Sequence, residues 1–385
     1  MKMRNMSKNA LTIAVGAGLV VAPVLSAQAY EFAISGQINR MAVQLDNGDQ
    51  DSLFFLDSDS SSSRIRFVGS GDLGAGKAGM TIEHQFESNT SAALDFPAVS
   101  SGSDQDSIRK VEGWFSGDWG KITIGQGSDA TDGVTEVDLG GTVWTGGVYA
   151  YPVDMMGGVT WVTSNGRPAA NPPGKTKPTT VAGAITTFDG GRRDRVRYDS
   201  PTLGGALSFA VSLADGERLD ANIGGTHEFG QSTFAWRVGI SDQGDIGSTV
   251  GGGAVALEPD NVEPSVTVGS AALKIGNWDF TYSFSEKDFD ETGRTDAEEA
   301  YIRLGYVMES GHSYAIGTGT FDDFKRNNDE AEVFQFGWGY SPNSSVDLYA
   351  SWTEAEFDPG AGALPPGVSV EDVTAILFGT RVKFK

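Results

Sequence analysis

Apolar and polar residues alternate at period two along most of the chain. Near the start, Phe32, Ile34 and Ile38 fall on one face and Ser35, Gln37 and Asn39 on the other. From Thr233 to Ser241 the same beat sets Phe234, Trp236, Val238 and Ile240 against Thr233, Ala235, Arg237 and Gly239. Such alternation describes strands whose two faces meet different surroundings. Helical spacing sustained over about ten residues is hard to find, so the chain reads as all-β.

The pattern predicts sixteen strands, at 31–43, 62–73, 77–88, 107–117, 120–128, 192–200, 204–213, 221–230, 232–241, 265–275, 277–287, 298–309, 311–320, 331–340, 344–355 and 369–384. Tight turns such as Gly74-Ala75-Gly76, Gly117-Asp118-Trp119-Gly120 and Ser341-Pro342-Asn343-Ser344 alternate with eight longer loops. An even strand number, segments near ten residues, short turns on one rim and long loops on the other describe a transmembrane antiparallel β-barrel. In hydrocarbon every backbone N–H and C=O needs a partner within the protein, and a closed sheet supplies one without leaving an edge. A soluble sandwich, solenoid or propeller fits less well. No repeat of blade or coil length is present, and the apolar faces carry the Trp, Tyr and Phe of interfacial girdles.

Composition sharpens this picture. Residues 1–29 combine Lys2, Arg4 and Lys8, an apolar stretch from Ala10 to Leu25 and the small-residue end Ala27-Gln28-Ala29, which reads as a signal peptide cut after Ala29. Residues 30–385 then form the mature barrel, in which no apolar run reaches the length of a membrane helix. The 52 glycines suit the crowding and bends of a curved sheet. The absence of cysteine excludes disulfide frameworks, thiolate catalysis and zinc–thiolate sites. A net charge of −23 excludes nucleic acid as a partner. Most of the 51 acidic side chains fall in the long loops, while strands and turns are nearly balanced in charge.

Particular residues carry a family resemblance. Ser63-Arg64-Ile65-Arg66-Phe67-Val68-Gly69-Ser70-Gly71-Asp72-Leu73-Gly74-Ala75-Gly76 and Ser116-Gly117-Asp118-Trp119-Gly120-Lys121-Ile122-Thr123-Ile124-Gly125 resemble strands and turns of the trimeric general porins of Gram-negative outer membranes. Val196-Arg197-Tyr198-Asp199-Ser200-Pro201 looks like the strand after that family's constriction loop, and Phe378-Gly379-Thr380-Arg381-Val382-Lys383-Phe384 is similar to its terminal strand. The resemblance implies a sixteen-stranded barrel, a homotrimer, a third loop folded into the lumen, and delivery by the outer-membrane assembly machinery through the C-terminal strand. Two departures are Lys385 after the terminal aromatic and Gln126 where relatives often hold arginine.

Other motifs carry less. Gly71-Asp72-Leu73-Gly74-Ala75-Gly76-Lys77 has phosphate-loop spacing, but Ala78 replaces the Ser or Thr that would bind Mg²⁺ and no helix follows. His84, His227 and His312 lie on separate strands with no metal-type pairing, and no nucleophile elbow accompanies them, so no enzyme chemistry is expected. No cofactor is called for. Asp46-Asn47-Gly48-Asp49-Gln50-Asp51 and Asp57-Ser58-Asp59 offer oxygen ligands to divalent cations, but the EF-hand spacing is missing, and solvated acidic loop is the plainer account.

The long segment 129–191 is the candidate constriction region, since loops of this length are usually functional. Its first half carries Asp129, Asp132, Glu136, Asp138 and Asp154. Parity places Arg64, Arg66, Lys110, Arg193, Arg195 and Arg197 on the lumenal face. Acid on one side of a narrow passage and arginine on the other would create a transverse field. The plainer account has these arginines pairing with Asp194, Asp199 or Glu112 to hold the wall. The expected function is a passive channel for small hydrophilic solutes and ions, made mildly cation-preferring by its acidic mouth. Divalent ions would bridge that mouth to lipopolysaccharide and outer-membrane lipid. Two alternatives are a solute-selective channel, with Trp144, Tyr149 and Tyr151 stacking on sugar rings, and a structural or adhesive barrel.

Overall fold

A computed structural model describes residues 30–96, 105–141, 156–169, 179–243 and 264–385. The leader with Ala27 and Ala29 lies outside them, as do Trp144, Tyr149, Tyr151 and Asp154. The strands are β1 (Glu31–Asp46), β2 (Asp51–Asp57), β3 (Arg64–Asp72), β4 (Lys77–Glu87), β5 (Gln105–Gly117), β6 (Gly120–Ser128), β7 (Arg192–Asp199), β8 (Leu207–Ala214) and β9 (Leu219–Phe229). They continue as β10 (Ser232–Asp242), β11 (Ser265–Ile275), β12 (Trp278–Asp288), β13 (Ala297–Val307), β14 (His312–Asp322), β15 (Glu330–Asn343), β16 (Val346–Asp358) and β17 (Val373–Phe384). Every strand pairs antiparallel with its chain neighbour except at one break, and β1 closes the ring on β17, from Gly36 opposite Phe384 to Asp46 opposite Thr374.

The break corrects the expected first loop at 44–61. That stretch holds a seventeenth strand, β2, reached by a tight turn in which Asn47 Oδ1 accepts from the amides of Asp49 and Gln50 at 3.2 and 2.9 Å. The upper half of β1 pairs with β2 and its lower half with β3, so β2 and β3 share one of sixteen staves. Between them Asp59–Ser61 make a short 3-10 turn against the inner wall. There Gln37 Nε2 donates to the Ser61 and Ser62 carbonyls at 2.7 and 2.9 Å. The Asp57-Ser58-Asp59 run is therefore not a solvated loop: Asp57 and Ser58 are both buried.

Large apolar side chains cover the outer face, Phe32, Phe55, Phe280 and Phe378 among them. Near the short-turn rim aromatic rings gather: Trp278 lies 4.7 Å from Tyr306, and His312 stacks on Tyr340 while accepting from Trp338 Nε1 at 3.2 Å. This is the girdle expected where a barrel meets the membrane interface. Inside, a buried apolar cluster joins the upper inner faces of β1, β2 and β13–β17 to residues of the second and third loops.

Ring closure is crowded at Gly36. A Cβ there would lie 2.6 Å from the Phe384 ring and 2.7 Å from the Arg64 carbonyl oxygen. Overpacking of this kind costs about 1–3 kcal/mol. Gly36→Ala is expected to lower the melting temperature of the folded barrel and slow its refolding. Unchanged values for both would contradict this view of the seam.

Candidate pore wall

The basic residues stand on β3, β5 and β7, with their partner acids on β4, β5 and β7 and at Asp129 of the third loop. In β3, Ile65 and Phe67 turn outward and Arg64 and Arg66 inward, as parity requires. Both arginines converge on Glu83 of β4, whose side chain is only 1% exposed; Arg64 lies at 3.6 Å, and Arg66 donates to it directly. Arg109 of β5 joins them, with Nε 2.8 Å from Glu83 and Nη1 2.7 Å from Gln85 Oε1.

Strict alternation would aim Arg109 at lipid. The β4–β5 register shifts at this point: Glu83 faces Lys110 while His84 faces Ile108, so Arg109 is an extra residue in a bulge. A bulge turns two successive side chains to one face. Arg109 and Lys110 therefore both point inward.

On β7, Arg195 is almost fully buried. It donates to Glu112 Oε2 at 2.6 Å, to the Gly125 carbonyl at 2.7 Å and to the Ser128 carbonyl at 2.9 Å. Gly127 makes this pair possible, since a Cβ there would lie 2.2 Å from Glu112 Oε2. Arg197 forks onto Asp199 at 2.7–3.0 Å and also donates to the Asp129 carbonyl at 2.6 Å. Arg193 lies 3.4 Å from Asp129.

The acids of segment 129–191 divide by role. Asp129 is fully buried and clamps the loop's base: its amide donates to the Gly191 carbonyl at 2.9 Å, and its carboxylate accepts from Gly191 N and Asp132 N, both at 3.1 Å. From there residues 130–140 cross the inner wall. Ala130 N reaches Ser212 of β8, Thr131 Oγ1 reaches Asp220 of β9 and Val137 N reaches Ser270 of β11. Asp138 meets Arg303 of β13 at 2.7 Å, and the same Arg303 nitrogen lies 2.9 Å from Asp279 of β12. Asp132 and Glu136 stay half-buried. Arg109, Glu83, Asp279 and Arg303 are the polar residues that parity alone did not single out.

Near Glu136, Thr135 donates from both its amide and its hydroxyl to Asp189, the latter at 2.7 Å. Burial, and then the neighbouring Glu136 charge, push the Asp189 carboxyl well above its ordinary 3.8. The folded state then holds this proton more tightly than the unfolded chain does. Its stabilising effect is complete below about pH 3.8 and is lost as pH rises through the raised value. Asp189→Asn should flatten this part of the pH–stability profile, measured by thermal melting from acid to neutral pH. A variant profile that keeps the parent's slope would contradict the assignment.

A family model described as Gram-negative porin matches residues 10–360, and the chain belongs to that family. No curated protein matches its sequence. Among solved structures, the anion-selective porin from Comamonas acidovorans has a TM-score of 0.59 at 15% identity, covering 92% of this chain and 100% of that one. The trimer form of OmpT from Vibrio cholerae has a TM-score of 0.55 at 12% identity, with 92% and 100% covered. The outer membrane channel DcaP of Acinetobacter baumannii has a TM-score of 0.55 at 13% identity, with 94% and 100% covered. Such identities speak to the fold, and family membership adds the rest. This is a multi-pass β-barrel of the outer membrane, of a family and fold known as non-enzymatic channels.

Proposed function

We propose that the protein is a passive diffusion channel for small hydrophilic solutes and ions, with a transverse field across its lumen and a mild preference for cations. The observation that carries this reading is the separation of charge on the inner wall. Arg64, Arg66, Arg109, Lys110, Arg193, Arg195 and Arg197 gather on β3, β5 and β7. The half-buried Asp132 and Glu136 lie with the loop that crosses β8–β13, where Arg303 is shared by Asp138 and Asp279. A polar solute can align in such a field, whereas an apolar one must displace ordered water.

With basic and acidic groups both lining the lumen, the acidic loops decide the overall preference. They concentrate cations over a Debye length of about 8 Å at physiological salt. Purified protein in planar bilayers should open in discrete conductance steps, and a folded preparation that stays electrically silent would end the channel reading.

Assembly as a homotrimer is supported by OmpT, whose structure is described as a trimer form. Chemical cross-linking that stops at monomer would count against it. The terminal β17 offers the segment through which assembly machinery would act. Association with lipopolysaccharide through divalent ions is supported by the outer-facing carboxylates of Glu354, Glu356 and Asp372, which lie within 4.8 Å of one another. Lipid association that survives chelation unchanged would remove that partner.

A further inference from the structure

Among the described residues the strands turn six aromatic side chains inward, and five of them, Phe54, Tyr301, Phe321, Tyr349 and Phe357, belong to the buried apolar cluster at no more than 7% exposure. The sixth, Trp114 of β5, lies outside that cluster and is only half-buried. Register fixes its side. Trp114 stands opposite Gly79 of β4 and Thr123 of β6 on the inner face, whereas Phe115 stands opposite Ala78 and Ile122 on the outer one. The indole rests on the backbone of β4: a Cβ added to Gly79 would come within 2.2 Å of its Cζ2 atom, so glycine leaves the room the ring occupies. The cation beside it is Lys121 of β6, whose Nζ lies 5.2 Å from the ring centroid. Asp199, the cross-strand neighbour of Lys121, is taken by Arg197 at 2.7 Å instead. An ammonium over an indole at a wet site is held weakly, and its four-carbon stem is flexible. Along β5 the inward positions run Lys110, Glu112, Trp114. At about 3.3 Å per residue, Trp114 lies about 13 Å from Lys110 toward the short-turn rim, so a solute leaving the basic wall meets this ring next.

We infer that Trp114 and Lys121 form a solute subsite in the short-turn half of the lumen and that it takes planar aromatic carboxylates. The solute ring stacks on the indole while Lys121 swings from the ring to the carboxylate. Two properties select this class. A flat indole pairs best with another ring, offset-stacked or edge-on. The lysine adds one positive charge whose nearest strand carboxylate is already engaged, and a sugar or a neutral ring would leave that charge unpaired. The ring is backed by the wall on one side and open to water on the other, so occupation is brief and reversible, as passage through a channel requires. The subsite rests on the open-channel reading and adds a chemical preference to it.

The test records single channels of the purified protein in planar bilayers with benzoate on both sides. Acetate, which has the charge without the ring, and benzyl alcohol, which has the ring without the charge, serve as controls. Benzoate should interrupt the current in a saturable manner at concentrations about tenfold below either control. Trp114→Ala should raise its half-blocking concentration about tenfold. Trp114→Phe should keep most of the block, and Lys121→Gln should remove the advantage over benzyl alcohol. Benzoate no stronger than acetate, glucose as strong as benzoate, or a conducting Trp114→Ala channel blocked like the parent would overturn the subsite. If Trp114→Ala does not fold, Trp114→Leu, which keeps apolar bulk without a ring, decides in the same direction. A folded parent with no conductance would instead defeat the channel reading. Saturation-transfer NMR of benzoate then decides on the subsite alone: a signal lost in Trp114→Ala supports it, and a signal equal in parent and variant overturns it.

Discussion

Glu83→Gln is expected to shift the channel's reversal potential toward anions and to destabilise the barrel by about 3 kcal/mol, the lower end of the range for breaking a buried ion pair. The side chain is 1% exposed and is the shared acceptor of Arg64, Arg66 and Arg109. Without its charge, three guanidiniums face a neutral amide. Arg66 already reaches water and can relax outward, which places the cost at the lower end; Arg109, only 14% exposed, has less freedom. Glu83→Asp keeps the charge and should recover most of the selectivity. Salt-gradient measurements and thermal melting together check this. A Glu83→Gln channel with the parent's reversal potential and melting temperature would show that the cluster does not act on permeating ions.

Arg303→Met should have the larger structural effect, about 3–5 kcal/mol. Arg303 is 2% exposed, while its partners Asp138 and Asp279 are 5% and 0% exposed. Methionine removes the cation and leaves two buried carboxylates facing each other, beside Gly140, where an added Cβ would lie 2.9 Å from Asp279 Oδ2. The first half of the third loop would then loosen from β11–β13, seen as excess open-channel current noise and a lower melting temperature. Adding Asp138→Asn and Asp279→Asn should restore much of the loss by removing the orphaned charges. A single variant as stable and quiet as the parent would mean that other contacts hold this loop.

The strands were legible because each separates lipid from a different interior. The alternation at 232–241 and 265–275 falls within a residue of β10 and β11. Alternation failed where the interior is itself apolar. In β2, Phe54 and Leu56 turn into the buried cluster while Leu53 and Phe55 face outward, so Leu53-Phe54-Phe55-Leu56 shows no two-faced pattern and its acidic flanks suggested loop. In β17, Leu377 points inward between Ile376 and Phe378, which point outward. Apolar residues on both faces of a barrel strand mean that something covers the inside. That was the available signal for the apolar cluster inside the barrel.

The site was half legible. Parity placed Arg64, Arg66, Lys110, Arg193, Arg195 and Arg197, but period-two reasoning cannot see a bulge, and Arg109 was lost to one. The loop acids were visible by type and not by role: Asp129 and Asp138 hold the loop to the wall, and only contacts with residues distant in sequence reveal it.

In the proposed channel, a water-filled passage has its ion preference set by an acidic mouth acting against an arginine-bearing wall. Reversal potential across a salt gradient, recorded on single channels of the reconstituted protein, tests it most directly. The expected result is stepwise conductance with a mild cation preference that fades as ionic strength rises and the screening length falls. Anion preference at low salt, or folded protein that carries no current, would contradict it.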